Sequence, residues 1–110
     1  MITAEKAREI LDAHLAVMKA YPDDGDTAVM ISVTEHRFGW EFRYQSSKWA
    51  RTRDSRDMWV GTGPIVVDRR DGRLLELGGR QFGDMVAVYQ QRYDREMRAD
   101  EGGLGGLGPR

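Results

Sequence analysis

The clearest pattern in this chain lies in residues 39–45, which read GWEFRYQ in one-letter code. Large aromatic side chains alternate here with polar ones. A period of two is typical of a β-strand with one buried and one hydrated face. The aromatic members are Trp40, Phe42 and Tyr44. We therefore expect a half-buried strand whose aromatic face packs against another layer of the protein.

A second pair of strands is indicated farther along the chain. Residues 65–67 read IVV, residues 74–77 read LLEL, and the connection between them contains Asp71 and Gly72. Asp-Gly between two apolar runs is a strong hairpin signal, because glycine accepts a positive φ without strain. The two runs are predicted to pair antiparallel.

Residues 27–36 precede the aromatic strand and also alternate. They are rich in β-branched side chains, which favours a strand over a helix. The alternation predicts Val29, Ile31 and Val33 on one face, with Met30 on the other. A turn at residues 37–39 then joins this strand to the aromatic one.

Helical spacing flanks the four strands. One amphipathic stretch begins after Thr3, which suits an N-cap, and ends at Pro22; the other runs from Gln81 to Met97. The apolar stripe of the first consists of Ala7, Ile10, Leu11, Leu15, Met18 and Tyr21, and that of the second of Phe82, Met85, Val86, Tyr89 and Tyr93.

The predicted fold class is therefore α+β, with an N-terminal helix, a four-stranded antiparallel sheet and a C-terminal helix. We favour a cystatin-like arrangement, in which the first helix lies across a curled sheet and the other sheet face is at least partly open. One domain over residues 1–98 is expected for a chain of 110 residues. Residues 99–110 are glycine-rich and are predicted to form a disordered tail, because they bury too little surface to offset the entropy of ordering.

The composition excludes several classes of function. With 17 basic and 18 acidic residues, no net field attracts nucleic acid or an anionic membrane. The chain contains no cysteine, which fits a reducing compartment. Its apolar runs fall far short of the roughly 18 residues that indicate a membrane span, so we expect a cytoplasmic protein.

Catalytic and metal-binding patterns are also missing from the sequence. Nucleophilic catalysis needs a nucleophile beside a base that an acid orients, and no motif here places Ser46 or Ser47 in that setting. His14 and His36 are the only imidazoles, and neither has a second ligand at metal spacing. We therefore predict a protein that is not an enzyme and that uses no metal or cofactor.

Residues 46–58 are polar and basic and have no period, so they are predicted to form an exposed loop. Tryptophan together with arginine is the composition of interface hot spots. Trp49 has a second interpretation of equal weight, as a lid folded back onto the core. The candidate partner-binding residues are Lys48, Trp49, Arg51, Arg53, Arg56 and Asp57, with Glu41 and Arg43 on the polar face of the adjacent strand.

Several of these motifs occur in an order that resembles the immunity protein 35 family, also called YrhB-like domains. They are Gly39-Trp40, the aromatic-x-Tyr-Gln-Ser at residues 42–46, Gly61-x-Gly63-Pro64 before Val66-Val67-Asp68, and the turn glycine Gly72. The resemblance implies a small bacterial protein that binds and neutralises a cognate toxin, often encoded beside it in a polymorphic toxin system. The balanced charge described above predicts no nucleic-acid or membrane partner.

Two other functions stay open on sequence alone. A chaperone-like stress module would bind clients through an open sheet edge or an apolar patch. A small-ligand carrier would use a concavity lined by Trp40, Tyr44 and Tyr89.

Overall fold

The computed structural model describes the backbone of residues 1–18, 25–77 and 84–106, with side chains up to Ala99. The strands form one antiparallel sheet in the order β1-β2-β3-β4, so the predicted α+β class and element order are confirmed. The elements are α1 (Ala4–Ala16), β1 (Ala28–His36), β2 (Gly39–Ser46), α2 (Ser47–Thr52), a short 3₁₀ helix (Ser55–Asp57), β3 (Ile65–Asp68), β4 (Leu74–Glu76) and α3 (Met85–Gly106).

Helix α1 covers one face of the sheet, as expected. Its N-cap is Thr3, whose side chain accepts a hydrogen bond from the backbone N–H of Lys6. Trp40 and Phe42 are buried on this face, which confirms the predicted aromatic face of β2. The buried residues of this α1 core are Ala7, Leu11, Leu15, Trp40, Phe42, Ile65 and Val67, and Tyr44 packs at its edge.

Helix α3 packs on the opposite face. Val66 alternates with its two apolar neighbours in β3, so its side chain points away from α1 and meets Val86 and Tyr89. A strand covered on both faces reads as a continuous apolar run, which explains the IVV sequence of β3. Arg43, on the β1–β2 half of the same face, is exposed. This face is therefore covered over β3 and β4 and open over β1 and β2.

Strand β1 contains a bulge that the alternation did not predict. Met30 pairs with Tyr44, but the next pair is Ser32 with Arg43, so one extra residue is inserted in β1. Paired residues share a face, and the insertion reverses the alternation beyond it. Val29 and Val33 therefore lie on opposite faces, and the prediction that they share one was wrong.

Two glycines take backbone positions that other residues would strain. Gly39 has a φ of +147°, and an added Cβ would lie 2.1 Å from the carbonyl oxygen of Val67. Gly72 has a φ of +80° in the β3–β4 turn, and β3 and β4 pair antiparallel, as the Asp-Gly signal predicted. The tight β2–β3 approach thus depends on a missing side chain.

The helix boundaries differ from the predicted ones. Helix α1 ends at Ala16, and the predicted stop at Pro22 lies outside the described residues, as does Phe82 before α3. The backbone of α3 continues past Arg98 to Gly106, so the domain boundary expected at residue 98 does not coincide with a helix end. The disorder of residues 99–110 stays a prediction.

Candidate functional site

The segment that follows β2 is ordered by its own hydrogen bonds. The predicted loop is instead the short helix α2 followed by a 3₁₀ helix. Buried Ser46 is the N-cap of α2: its Oγ accepts from the backbone N–H of Trp49 at 3.0 Å and donates to the carbonyl of Asp57 at 2.7 Å. One hydroxyl thus joins the start of α2 to the end of the 3₁₀ helix. We call residues 47–60 the α2 segment.

Asp26, just before β1, holds the beginning of the α2 segment. Its carboxylate accepts from the Ser47 hydroxyl and, at 3.0 Å, from the backbone N–H of Lys48. The hydrogen bond from Ser47 contributes most to lowering the pKa of Asp26 below its ordinary value. The segment is therefore tied to β1 as well as to β2.

Gln45 holds the other end of the segment. Its Oε1 accepts from the backbone N–H of Trp59 at 2.7 Å, and its Nε2 donates to the Trp59 carbonyl at 3.0 Å. Strand alternation assigns Gln45 to the hydrated face, yet it is only 6% exposed. Gln45 is buried because the α2 segment covers it, and its side-chain amide both donates to and accepts from the backbone of that segment.

Both acidic side chains between Lys48 and Asp57 have partners inside the segment. Asp54 forms a bidentate pair with Arg56, which lowers the pKa of Asp54. Asp57 accepts from the Thr52 hydroxyl at 2.6 Å and lies 3.5 Å from the Lys48 ammonium. These carboxylates are therefore engaged locally.

Trp49 and Arg53 form a stacked pair on the outside of α2. The guanidinium carbon of Arg53 lies 4.4 Å from the centroid of the Trp49 ring. Trp49 is half-buried but belongs to neither of the two core clusters, so the lid interpretation is not supported. Among the described residues, no carboxylate is hydrogen-bonded or ion-paired to Arg53.

Apolar side chains adjoin these cations in sequence, and the sequence reasoning overlooked them. Met58 is 43% exposed and Val60 is 91% exposed, directly after the 3₁₀ helix. Exposed apolar residues beside arginine are the usual contents of an interface core and its rim. The signal that identifies them is their position beside the anchored residues Asp57 and Trp59, which becomes visible only in the structure.

Glu41 and Arg43 form a separate cluster. Glu41 lies 2.8 Å from the Nε2 of His36 through one oxygen and 2.8 Å from Arg43 through the other. They line a cleft of about 360 Å³ between β2 and the start of α3, with Val86 at its side. No hydrogen bond or ion pair in the described part of the chain links this cluster to the α2 segment. The structure thus brings together six of the predicted partner-binding residues and leaves these two apart.

The histidines are each engaged with one carboxylate. His14 lies 2.8 Å from Glu76, across the sheet edge, and His36 pairs with Glu41. Within residues 1–18, 25–77 and 84–99, no group of three or more His, Asp or Glu side chains is placed to hold a metal ion. No helix in the described part of the chain has the length and apolar character needed to cross a membrane.

The concavity expected for a small-ligand carrier is not formed by the residues proposed for it. Trp40 and Tyr44 belong to the α1 core, whereas Tyr89 lies on the opposite face of the sheet under α3. Burial raises the pKa of Tyr44, and the same residue packs against core side chains. These three aromatic residues therefore fill two cores and do not line one pocket.

Comparison with known proteins gives one match. A family model described as immunity protein 35 matches residues 3–96, which include α1, α2, all four strands and the first part of α3. No curated protein and no solved structure matches the chain.

Proposed function

We propose that the chain, which belongs to the immunity protein 35 family, binds a cognate bacterial toxin and neutralises it. The family match over residues 3–96 carries this proposal. The toxin is expected to be encoded beside this protein, and the two would meet in the cytoplasm of the producing bacterium. The family suggests the class of partner, and the surface chemistry of this chain supports a proposal for the place of contact.

The α2 segment is the proposed contact surface. Its exposed side chains combine four cations, Lys48, Arg51, Arg53 and Arg56, with the apolar Met58 and Val60. Arginine and large apolar groups dominate binding energy where they are desolvated against a partner. The segment is also anchored at both ends by hydrogen bonds: the Trp49 N–H donates to Ser46 near its start, and the Gln45 amide bonds to the backbone of Trp59 near its end. A surface that is ordered before binding loses less conformational entropy in the complex.

Neutralisation is proposed to work by occlusion and not by chemistry on the toxin. The exposed side chains of the α2 segment are mainly cationic and apolar, with two hydroxyl groups at Thr52 and Ser55. Guanidinium and apolar groups suit binding at neutral pH and are poor general bases or nucleophiles. A protein of this size that covers roughly 800 Å² on its partner blocks an active site or a substrate path over that area. The proposed mode therefore needs affinity and position only.

The test is co-expression with the toxin domain encoded by the adjacent gene. Cells that express the toxin alone should lose viability, and cells that also express the unaltered protein should keep it. Calorimetry with purified protein and a catalytically inactivated toxin domain then measures affinity directly. An unrelated toxin domain from another locus is the matched control. Failure of the unaltered protein both to protect and to bind would contradict the proposed function.

A double variant locates the contact. Trp49→Ala combined with Arg53→Glu should weaken binding by about 2 kcal/mol or more, which is typical of hot-spot residues. The melting temperature should change little, because neither side chain belongs to a core cluster. Glu41→Gln with Arg43→Gln tests the separate cleft on β2 in the same assay. Full protection by the first double variant would remove the α2 segment from the interface.

A further inference from the structure

Arg53 has an unusual backbone conformation. Its φ is 56° and its ψ is 23°, the left-handed region, and it is the only residue other than glycine with a positive φ in the described part of the chain. It is the C-cap of α2, a position where glycine or asparagine is favoured because a Cβ is strained there. Folding stability alone would therefore select glycine at position 53.

The strained backbone holds the Arg53 guanidinium in one place. Its Nε donates to the carbonyl of Ala50 at 3.3 Å, and its plane lies over the Trp49 ring. The side chain is exposed and no carboxylate in the described residues binds it. An arginine fixed in this way loses little rotamer entropy on binding and keeps its terminal N–H groups for a partner.

The surrounding charges favour an acidic ligand. Residues 48–57 contain four cations and two carboxylates, and the carboxylates of Asp54 and Asp57 are engaged with Arg56 and Lys48. A third carboxylate, Asp26, lies at the start of the same helix, and Arg53 is left without a carboxylate partner among the described residues. Fixed positive charge that is not matched locally attracts an anionic group and repels a cationic one. Val60, which is exposed farther along the same segment, offers an apolar contact to a protein partner.

We infer that Arg53, presented on Trp49, is the anchor by which the protein recognises a carboxylate on an acidic surface of its toxin. This inference rests on the proposed function. A protein surface is favoured over a nucleic-acid backbone for two reasons: the chain has no net positive field, and a phosphodiester backbone offers no apolar partner to Met58 and Val60. Arg53 would then be retained against its own backbone strain because a carboxylate accepts its planar N–H fork at two atoms.

The variant Arg53→Gly separates binding from folding. Glycine relieves the strain at φ 56°, so the melting temperature should stay equal or rise, while affinity for the inactivated toxin domain should fall tenfold or more. Arg53→Lys keeps the charge and the strain but removes the planar fork, so it should retain only part of the affinity. Arg95→Gln, on the exposed side of α3, is the matched control for charge loss and should bind like the unaltered protein.

The dependence of affinity on ionic strength provides a second test of the Arg53 contact. Raising ionic strength should weaken the unaltered complex much more than the Arg53→Gly complex, because screening acts on the ion pair that the variant lacks. Equal affinity of Arg53→Gly and the unaltered protein would overturn the inference while leaving the immunity function intact. A lower melting temperature that accounts for the lost affinity would show a structural role and also overturn it.

Two other results would change the identity of the ligand or the proposed function itself. Tighter binding of a single-stranded or duplex DNA oligonucleotide than of the toxin domain, abolished by Arg53→Gly, would replace the carboxylate with a phosphate and overturn the inference. If the unaltered protein does not bind the toxin domain at all, the proposed function fails and the anchor role falls with it. The behaviour of the unaltered protein therefore distinguishes the two failures.

Discussion

Two regions of the molecule contain the same three-residue pattern, Asp-x-Arg, with very different surroundings. In both Asp54–Arg56 and Asp68–Arg70, the backbone N–H of the arginine donates to its aspartate at 2.9 Å. The guanidinium of each also forms a bidentate pair with the carboxylate, at 2.7 Å for the closer contact. Local geometry is thus nearly identical, and only the environment separates the two pairs.

Burial gives them different energetic weight. The side chain of Asp68 is 1% exposed and that of Arg70 is 26% exposed, whereas Arg56 is 87% exposed. Exposed ion pairs contribute about 0–1 kcal/mol, because water competes for both charges. Breaking a buried pair leaves a charge without solvent or partner, which costs about 3–5 kcal/mol. Two pairs of the same geometry therefore differ in their contribution to stability, which is small for the exposed pair and large for the buried one.

The buried pair joins α3 to the sheet. The Tyr89 hydroxyl donates to Asp68 at 2.6 Å, and Arg70 also reaches Glu96 at 2.8 Å and lies 4.6 Å from the Tyr93 ring centroid. Burial by itself would raise the pKa of Asp68, but hydrogen bonds from Arg70 and Tyr89 outweigh it and hold that pKa below its ordinary value. The Asp68 carboxylate on β3 is thus one of the groups that attach α3 to the sheet.

The largest effect is expected from Asp68→Ala. This change removes the acceptor of the Tyr89 hydroxyl and leaves the Arg70 guanidinium with Glu96 alone, so it should destabilise the protein by about 3–5 kcal/mol. Urea denaturation of both proteins gives the free energy of unfolding. Asp68→Asn is the control that keeps the volume and part of the hydrogen bonding. A loss below 1 kcal/mol in Asp68→Ala would show that burial does not distinguish the two pairs.

Tyr89→Phe should have an intermediate effect. It removes one hydrogen bond to a buried carboxylate and should cost about 1–3 kcal/mol in urea unfolding. Burial, followed by the hydrogen bond to Asp68, raises the pKa of Tyr89 to about 12. Because the folded state favours the protonated phenol, its contribution is complete below pH 10 and is lost as the pH rises towards 12.

The alkaline loss provides a test of that assignment. Melting temperatures recorded between pH 9 and pH 12 should fall more steeply for the unaltered protein than for Tyr89→Phe. Asp68 has the opposite pH dependence, because its pKa is lowered in the folded protein. It stabilises the fold at pH values above the ordinary pKa of aspartate, and this contribution is lost as the pH falls through the lowered pKa. Parallel curves for the two proteins at high pH would contradict the role given to the phenol.

Asp54→Ala completes the comparison with a small expected effect. It removes the exposed pair with Arg56 and the cap of the 3₁₀ helix, and the cost should stay under about 1 kcal/mol. Urea unfolding against Asp68→Ala under the same buffer provides the contrast. A loss of unfolding free energy comparable to that of Asp68→Ala would mean that the α2 segment stabilises the fold and is not a surface available to a partner.

The smallest effect is expected from truncation after Arg98. The described anchors of α3, which reach it at Tyr89, Asp94 and Glu96, all precede that residue. Deleting residues 99–110 should therefore leave the melting temperature and toxin affinity unchanged. A lower melting temperature in the truncated protein would show that the helical backbone described to Gly106 contributes to the fold.

The sequence predicted the elements that depend on local pattern. The buried Trp40 and Phe42 with exposed Arg43, and the Asp71-Gly72 turn, appear in the structure as expected, while Gln45 departs from the alternation because it is buried. It did not predict the β1 bulge or helix α2. The bulge depends on how β1 pairs with β2, and the six residues of α2 are ordered by Asp26 and Ser46 instead of by an apolar stripe. Neither of these causes produces a periodic pattern of apolar residues in the sequence.

The candidate site shows the same division. Composition alone selected the basic residues and Trp49 between β2 and β3, because tryptophan among arginines is an uncommon combination. It did not separate Glu41 and Arg43 from them, and it did not show that Arg53 is strained over Trp49. Those facts depend on backbone angles and on which side chains meet, and residue types do not report either.

What the sequence by itself determined is the order of helices and strands, the aromatic core face and the family, since periodicity and motif order are properties of neighbouring residues. Only the tertiary structure decided which Asp-x-Arg pair is expected to contribute substantially to stability. The pattern occurs three times, at Asp54, Asp68 and Asp71, and α3 covers the middle one alone. Burial is set by contacts between residues far apart in the chain, and it changes the local dielectric that gives an ion pair its strength.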